Sequence, residues 1–201
     1  MRSGPKGPPP SVGLIDVLFL CTGNICRSPM AEALLRRRLD ERGIDAHVHS
    51  AGLRLRDEPA SAYGVEVLAD RGIDLSAHRS RVMDAELIRS ADLVLAMARE
   101  HLREAVLTVP DVWSHAFTLK ELVRRAQQIG ARAPGESLEA WLARAGAARQ
   151  RGDLLGSSGD DDVYDPIGSG RSVYEKTADE LSELVDGLVA LAWPAAAEEA
   201  G

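Results

Sequence analysis

The stretch Ile15–Glu32, IDVLFLCTGNICRSPMAE, changes character twice. Ile15–Leu20 is a nearly continuous apolar run, the pattern of a strand covered on both faces in a parallel sheet. Cys21–Ser28 is polar and contains a glycine. Pro29 then stands where a first helical residue would, with Ser28 as the expected N-cap. Ala31, Leu34, Leu35 and Leu39 follow at helical spacing, and Gly43 supplies a stop. The segment therefore reads as strand, loop and helix N-terminus.

The same alternation continues along the chain. Ala46–Ser50 is expected to be a second strand, with Ser50-Ala51-Gly52 forming a turn after it. Ala62, Val65, Leu68 and Ala69 mark a helix that ends by Gly72. Asp92–Met97 is a third buried strand, followed by a helix from about Arg99. Ala116–Thr118 is a short fourth strand before a helix beginning near Leu119. Val173, Thr177, Leu181, Leu184, Val185, Leu188 and Leu191 share one face of a long last helix. Between Ala126 and Asp162 the pattern loosens. Leu138, Trp141 and Leu142 indicate one added helix, and GDLLGSSGDDD (152–162) reads as a mobile loop. Strands alternating with helices imply an α/β domain whose parallel sheet has helices on both faces.

Composition sets the outer bounds. The chain has 201 residues, enough for one hydrophobic core, with 45% hydrophobic and 27% charged residues. A net charge of -7 argues against nucleic acid as a partner. No apolar run is long enough to span a membrane, so no membrane partner is expected. Residues 1–12 are Pro/Gly-rich and read as a disordered extension, and 195–201 as a short tail. The two cysteines, Cys21 and Cys26, share one short segment, which suits a reducing cytoplasm better than a disulfide framework. Without companion ligands they make a poor zinc site, so neither metal nor other cofactor is expected.

Cys21–Ser28 has the makings of a phosphate cradle. A tight turn at a helix N-terminus offers several N–H donors and the positive end of the helix dipole. Gly23 and Asn24 tolerate the positive φ that such a turn requires. Arg27 can grip two phosphate oxygens with its planar fork. The same donors favour the thiolate of Cys21, and a Ser28 hydroxyl bonded to the sulfur would hold it and ease its departure. In-line attack on phosphorus would give a cysteinyl-phosphate that water hydrolyses, with Arg27 and the loop N–H groups stabilising transition-state charge. A Cys and an Arg six positions apart often occur by chance; the strand, Gly-Asn turn, Ser and helix-starting Pro in series do not.

Residues Cys21–Ser28, with Pro29, Met30, Ala31 and Glu32 after them, closely resemble the low-molecular-weight protein tyrosine phosphatase family. The resemblance extends over most of Val17–Leu188, with an apparent insertion at about 127–162, and makes 13–194 the phosphatase domain. It implies a three-layer α/β sandwich with a four-stranded parallel sheet and the catalytic loop after the first strand. Other Cys-x5-Arg phosphatases usually have His before the Cys and carry the motif late in the chain; here Leu20 precedes Cys21, near the start. The resemblance implies that Thr22, Gly23, Asn24, Ile25, Cys26 and Ser28 surround the phosphate. It makes Asp165, in Asp165-Pro166, the general acid that protonates the leaving group and then activates water. The alternative is that Asp160–Asp162 and Asp165 are a solvated acidic loop, but Val173-Tyr174 and Thr177–Leu181 resemble the family's closing helix. By the same analogy Ser76 and His78 would buttress Asn24. Cys26 is placed either to bond Cys21 reversibly after peroxide oxidation or simply to pack within the loop.

The expected partner is a phosphorylated protein, with phosphate or another oxyanion in the loop. Phosphotyrosine is the first substrate, because most of the family is named for it. Thr22 resembles the protein arginine phosphatase branch, which makes phosphoarginine the alternative. Ile167, after Asp165-Pro166, matches the aromatic flank of neither branch; it offers an apolar wall without stacking and leaves small phosphate esters open. Thiol-linked arsenate reductase shares the fold but relays electrons through later cysteines, and none follows Cys26. A non-catalytic phosphate-binding module would be expected to lack Cys21, Arg27 or Asp165, and all three are present.

Overall fold

The computed structural model describes residues 14–195. The extension at 1–12 and nearly all of the 195–201 tail lie outside the described residues. Four strands, β1 (Ile15–Cys21), β2 (Ala46–Gly52), β3 (Leu93–Ala96) and β4 (Ala116–Thr118), form one parallel sheet in the order β2-β1-β3-β4. β1 lies inside the sheet, and its residues from Val17 to Cys21 are buried, which accounts for the unbroken apolar run.

Alternate residues of β1 feed two separate cores. Val17, Phe19 and Cys21 face α1 (Arg27–Asp40), α2 (Ala62–Ala69), α5 (Leu119–Ile129) and α7 (Arg171–Ala192). Leu18 and Leu20 face α3 (Ala85–Ser90) and α4 (Arg99–Thr108). Helices on both faces make this a three-layer α/β sandwich. Because all strands are parallel, β1 and β3 both end at the same edge of the sheet, and the Cys21 loop emerges there beside the start of α4.

Three local expectations are corrected. Helix α1 starts at Arg27 with Cys26 as N-cap, so Ser28 is not the cap and Pro29 is the third helical residue. Proline is tolerated there because first-turn N–H groups have no intrahelical acceptor, and the Ser28 hydroxyl is engaged elsewhere. Ser50-Ala51-Gly52 is not a turn; it completes β2, pairing with Phe19, Leu20 and Cys21. The segment 152–162 is a largely exposed loop but is anchored at two points, with Leu154 and Asp161 buried and Asp161 bridging Arg99 and Arg124.

The added helix forms as α6 (Leu138–Gly146), capped by Ser137. Trp141 is completely buried and donates its indole N–H to the Gly130 carbonyl at 3.2 Å. Arg149 then lies between the rings of Trp113 and Phe117 while pairing with Glu121. None of the described helices is long and apolar enough to cross a membrane.

Candidate active site

The loop between β1 and α1 wraps around the sulfur of Cys21. Asn24 donates its main-chain N–H to Cys21 Sγ at 3.1 Å, and Ser28 Oγ lies 3.0 Å from the same sulfur. Ser28 Oγ also accepts from Asn24 Nδ2 at 3.0 Å, which leaves its own proton to point at Sγ. Asn24 adopts φ +53°, a left-handed conformation that costs a non-glycine residue about 1 kcal/mol or more.

That conformation is held from every side. Asn24 Nδ2 donates to Ser50 Oγ at 2.7 Å, and Ser50 Oγ donates to Glu32 at 2.6 Å. Asn24 Oδ1 accepts the Arg81 N–H at 3.0 Å, and the Asn24 carbonyl accepts from His78 Nε2 at 2.7 Å. The serine that supports Asn24 is therefore Ser50; Ser76 makes none of these contacts and instead donates its main-chain N–H to Asp74. Gly52 is the other support. A Cβ there would lie 2.8 Å from the Asn24 nitrogen and 2.9 Å from the Gly23 carbonyl carbon, so only glycine lets the loop sit against β2.

Arg27 is nearly buried and both of its terminal nitrogens are engaged. Nη1 donates to the Val163 carbonyl at 3.1 Å, and Nη2 donates to Asp165 Oδ2 at 2.5 Å and Thr22 Oγ1 at 3.3 Å. Asp165 is about one third exposed, and its Oδ1 accepts the Ile167 N–H at 3.2 Å. Cys21, Arg27 and Asp165 line one cleft of about 180 Å³, whose other walls include Gly23, Ile25, Leu55 and Ile167. Ile167 is more than half exposed, at the mouth.

The two thiols differ. Cys26 Sγ is turned to the Tyr174 hydroxyl at 3.3 Å, and burial pushes its titration up. Burial, with Cys26 alongside, pushes the Tyr174 phenol up to about 12. Both cysteines are free.

Sequence reasoning missed five participants: Ser50, Arg81, Gly52, Leu55 and His101. His101, in the first turn of α4, is fully buried with Nε2 2.9 Å from Thr22 Oγ1. Burial and the Arg27 charge push it down to about 3, so it is neutral. Among the described residues one group has metal-ligand spacing, Asp16, His47 and His49, at the start of β1 and β2 and away from the cleft. Its protons are already committed. Arg81 donates to His49 Nδ1, so His49 Nε2 carries the hydrogen that Asp16 accepts at 2.6 Å.

Set in this parallel sheet, a cysteine at the end of the first strand with an arginine six residues on marks the class of cysteine-dependent phosphatases. Residues 16–137 match the family model described as low molecular weight phosphotyrosine protein phosphatase. The chain is similar to the protein-arginine-phosphatase of Bacillus subtilis, with 35% identity over 85% of this chain and 92% of that one. It is also similar to the low molecular weight protein-tyrosine-phosphatase Etp of Escherichia coli, with 44% identity over 48% of this chain and 64% of Etp. Among solved structures, the low molecular weight protein tyrosine phosphatase from T. tengcongensis superimposes with a TM-score of 0.67 at 38% identity, covering 87% of this chain and 97% of that one. The chain belongs to the low molecular weight phosphotyrosine protein phosphatase family.

Proposed function

We propose that this protein hydrolyses phosphotyrosine in proteins through a cysteinyl-phosphate formed on Cys21. The observation that carries the reading is the convergence of Cys21 Sγ, the Arg27 fork and Asp165 on one cleft, with Asn24 N–H and Ser28 Oγ already directed at the sulfur. A phosphate entering the loop meets the main-chain N–H groups of residues 22–27 at the N-terminus of α1. It competes with Asp165 for the Arg27 N–H, and Asp165 is freed towards the leaving oxygen.

Cys21 Sγ then attacks phosphorus in line. The bond to the phenolic oxygen breaks as Asp165 gives that oxygen a proton, and the phosphoryl group is left on sulfur. In the second step Asp165 takes a proton from water, the water oxygen bonds to phosphorus, and Cys21 leaves as a thiolate received by Asn24 N–H and Ser28 Oγ. Arg27 and the loop amides carry the charge that builds on the phosphoryl oxygens in both steps. Thr22, Gly23, Asn24, Ile25 and Cys26 shape the cradle, Ser50, Gly52 and His78 support it, and Ile167 forms part of its mouth.

The walls favour an aryl ester. Ile25, Leu55 and Ile167 offer an apolar lining on which a phenyl ring buries surface, and among the described residues that line the cleft Asp165 is the one carboxylate available to hold a guanidinium. Thr22, which resembles the arginine-directed branch, has its hydroxyl committed to Arg27, Glu100 and His101. The deciding experiment treats the EDTA-washed protein with phosphotyrosine and phosphoarginine peptides side by side, with Cys21→Ser as control. Faster release from phosphotyrosine is expected. Preferential release from phosphoarginine moves the chain to the other branch, and no release above the control defeats the phosphatase reading for these substrates.

A further inference from the structure

Arg27 presents a problem that the reaction itself raises. When phosphate draws Arg27 away from Asp165, the guanidinium loses its shortest contact within the protein. Two acceptors remain to set its plane, the Val163 carbonyl at 3.1 Å and Thr22 Oγ1 at 3.3 Å. The first is fixed backbone. The second is a hydroxyl that rotates unless something holds it.

We infer that His101 is a positioning residue, which fixes the Thr22 hydroxyl and through it the orientation of the Arg27 fork. This rests on the phosphatase reading above for its catalytic consequence, although the contacts stand without it. His101 Nε2 lies 2.9 Å from Thr22 Oγ1 and 3.2 Å from Glu100 Oε1, and Thr22 Oγ1 lies 3.5 Å from the same carboxylate oxygen. One arrangement uses all of these groups. With its proton on Nε2, His101 donates to Thr22 Oγ1, whose second lone pair accepts from Arg27 Nη2, and the Thr22 proton goes to Glu100. The Thr22 oxygen is then pinned by two donors and one acceptor.

The other ring nitrogen decides the tautomer. Among the described residues, His101 Nδ1 is buried without a hydrogen-bond partner. A buried lone pair without a donor is tolerated more readily than a buried N–H without an acceptor, so the proton belongs on Nε2. A full imidazolium would add a second buried cation beside Arg27, and burial together with the Arg27 charge keeps the ring neutral throughout the physiological range. The brace therefore has a single direction, from His101 to Thr22 and from Arg27 to Thr22.

The test compares His101→Leu, His101→Gln, Thr22→Val, Thr22→Ser and the double variant Thr22→Val/His101→Leu with the parent. Thermal melting checks the fold, kcat and KM are read on an aryl phosphate, and the Kd of inorganic phosphate is measured by calorimetry. Thr22→Val and His101→Leu are each expected to lower kcat roughly tenfold and to weaken phosphate several-fold, since they release a group that orients the transition state. Thr22→Ser and His101→Gln keep a hydroxyl and an N–H donor and are expected to recover most of the loss. The double variant is expected to be no worse than the worse single one, because both act through one contact. A folded His101→Leu with parental kcat and phosphate affinity overturns the inference, as do losses that multiply in the double variant. Should His101→Leu not fold, Thr22→Val with parental values overturns it as well. A parent inactive on every phosphate ester defeats the phosphatase reading alone, because phosphate affinity still reports the brace.

Discussion

Gly52→Ala places a methyl group where the fold has no room for one. The added Cβ would meet the Asn24 nitrogen at 2.8 Å, the Gly23 carbonyl carbon at 2.9 Å and Asn24 Cβ at 3.0 Å, against 3.4 Å or more for ordinary contact. Backbone on both sides must therefore yield by about 0.6 Å in total. β2 is anchored by its register with β1, and Gly52 itself exchanges main-chain hydrogen bonds with Arg81 and Met83. The loop is the softer side, yet Asn24 is tied to Ser28, Ser50, Arg81 and His78. Relief comes from displacing Asn24, whose N–H donates to Cys21 Sγ at 3.1 Å. Crowding of this kind costs about 1–3 kcal/mol, and a shift of roughly half an ångström in a reacting group lowers kcat by about tenfold or more. Urea denaturation and steady-state kinetics on an aryl phosphate measure the two effects. Gly43→Ala is the matched control: Gly43 has φ +64° and open space around its would-be Cβ, so it is expected to lose about 1–2 kcal/mol with kcat unchanged. Parental stability and turnover in Gly52→Ala would refute the claim that β2 presses the loop into shape.

Asp165→Asn keeps the shape of the acid but gives it no proton to transfer; kcat on phenolic esters is expected to fall roughly 10²–10⁴-fold, and less for a substrate with a better leaving group, as kinetics on a leaving-group series will read. Trp141→Ala empties a fully buried site where α6 packs on α5, and chemical denaturation is expected to show a loss of about 3–5 kcal/mol. His101 also makes stability depend on pH. Its folded value of about 3 lies below the ordinary 6.5, so between those values the unfolded chain binds the extra proton. Its contribution is complete above pH 6.5 and is lost as pH falls, by up to about 1.4 kcal/mol per unit. Urea midpoints from pH 7 to 4 should therefore fall less steeply in His101→Gln than in the parent.

The frame of the molecule was legible because its signals were local and long. β1 is apolar throughout since both faces are covered, and the face of α7 repeats over twenty-two residues. Helix α3 went unread because six residues with one buried side chain, Ile88, carry no period. Its signal was the cap, as Asp84 accepts from the N–H groups of Glu86 and Leu87. The segment 152–162 looked loose because its anchoring depends on distant partners, Arg99 and Arg124, that composition cannot reveal.

The site divides along the same line. Cys21, Arg27 and Ser28 lie in one short segment whose order dictates their meeting. The aspartate is supplied from far along the chain, and only the resemblance singled it out. Ser76 and Ser50 are both serines near a turn in the sequence; the register that sets Ser50 opposite Phe19, near the end of β1, distinguishes them. His101 sits among charged residues in REHLRE and looks like a surface position. Its burial comes from the loop folding over the start of α4, which no local pattern encodes.

The most direct test of the central claim is to trap the intermediate. Asp165→Ala, which slows hydrolysis of the phosphorylated sulfur, is mixed with an aryl phosphate whose leaving group departs without a proton, quenched in acid, and its peptides are analysed by mass spectrometry. One phosphoryl group on the peptide containing Cys21, absent from Cys21→Ser, is the predicted result. A phosphoryl group on another residue, or turnover by Cys21→Ser at the parental rate, would contradict the account.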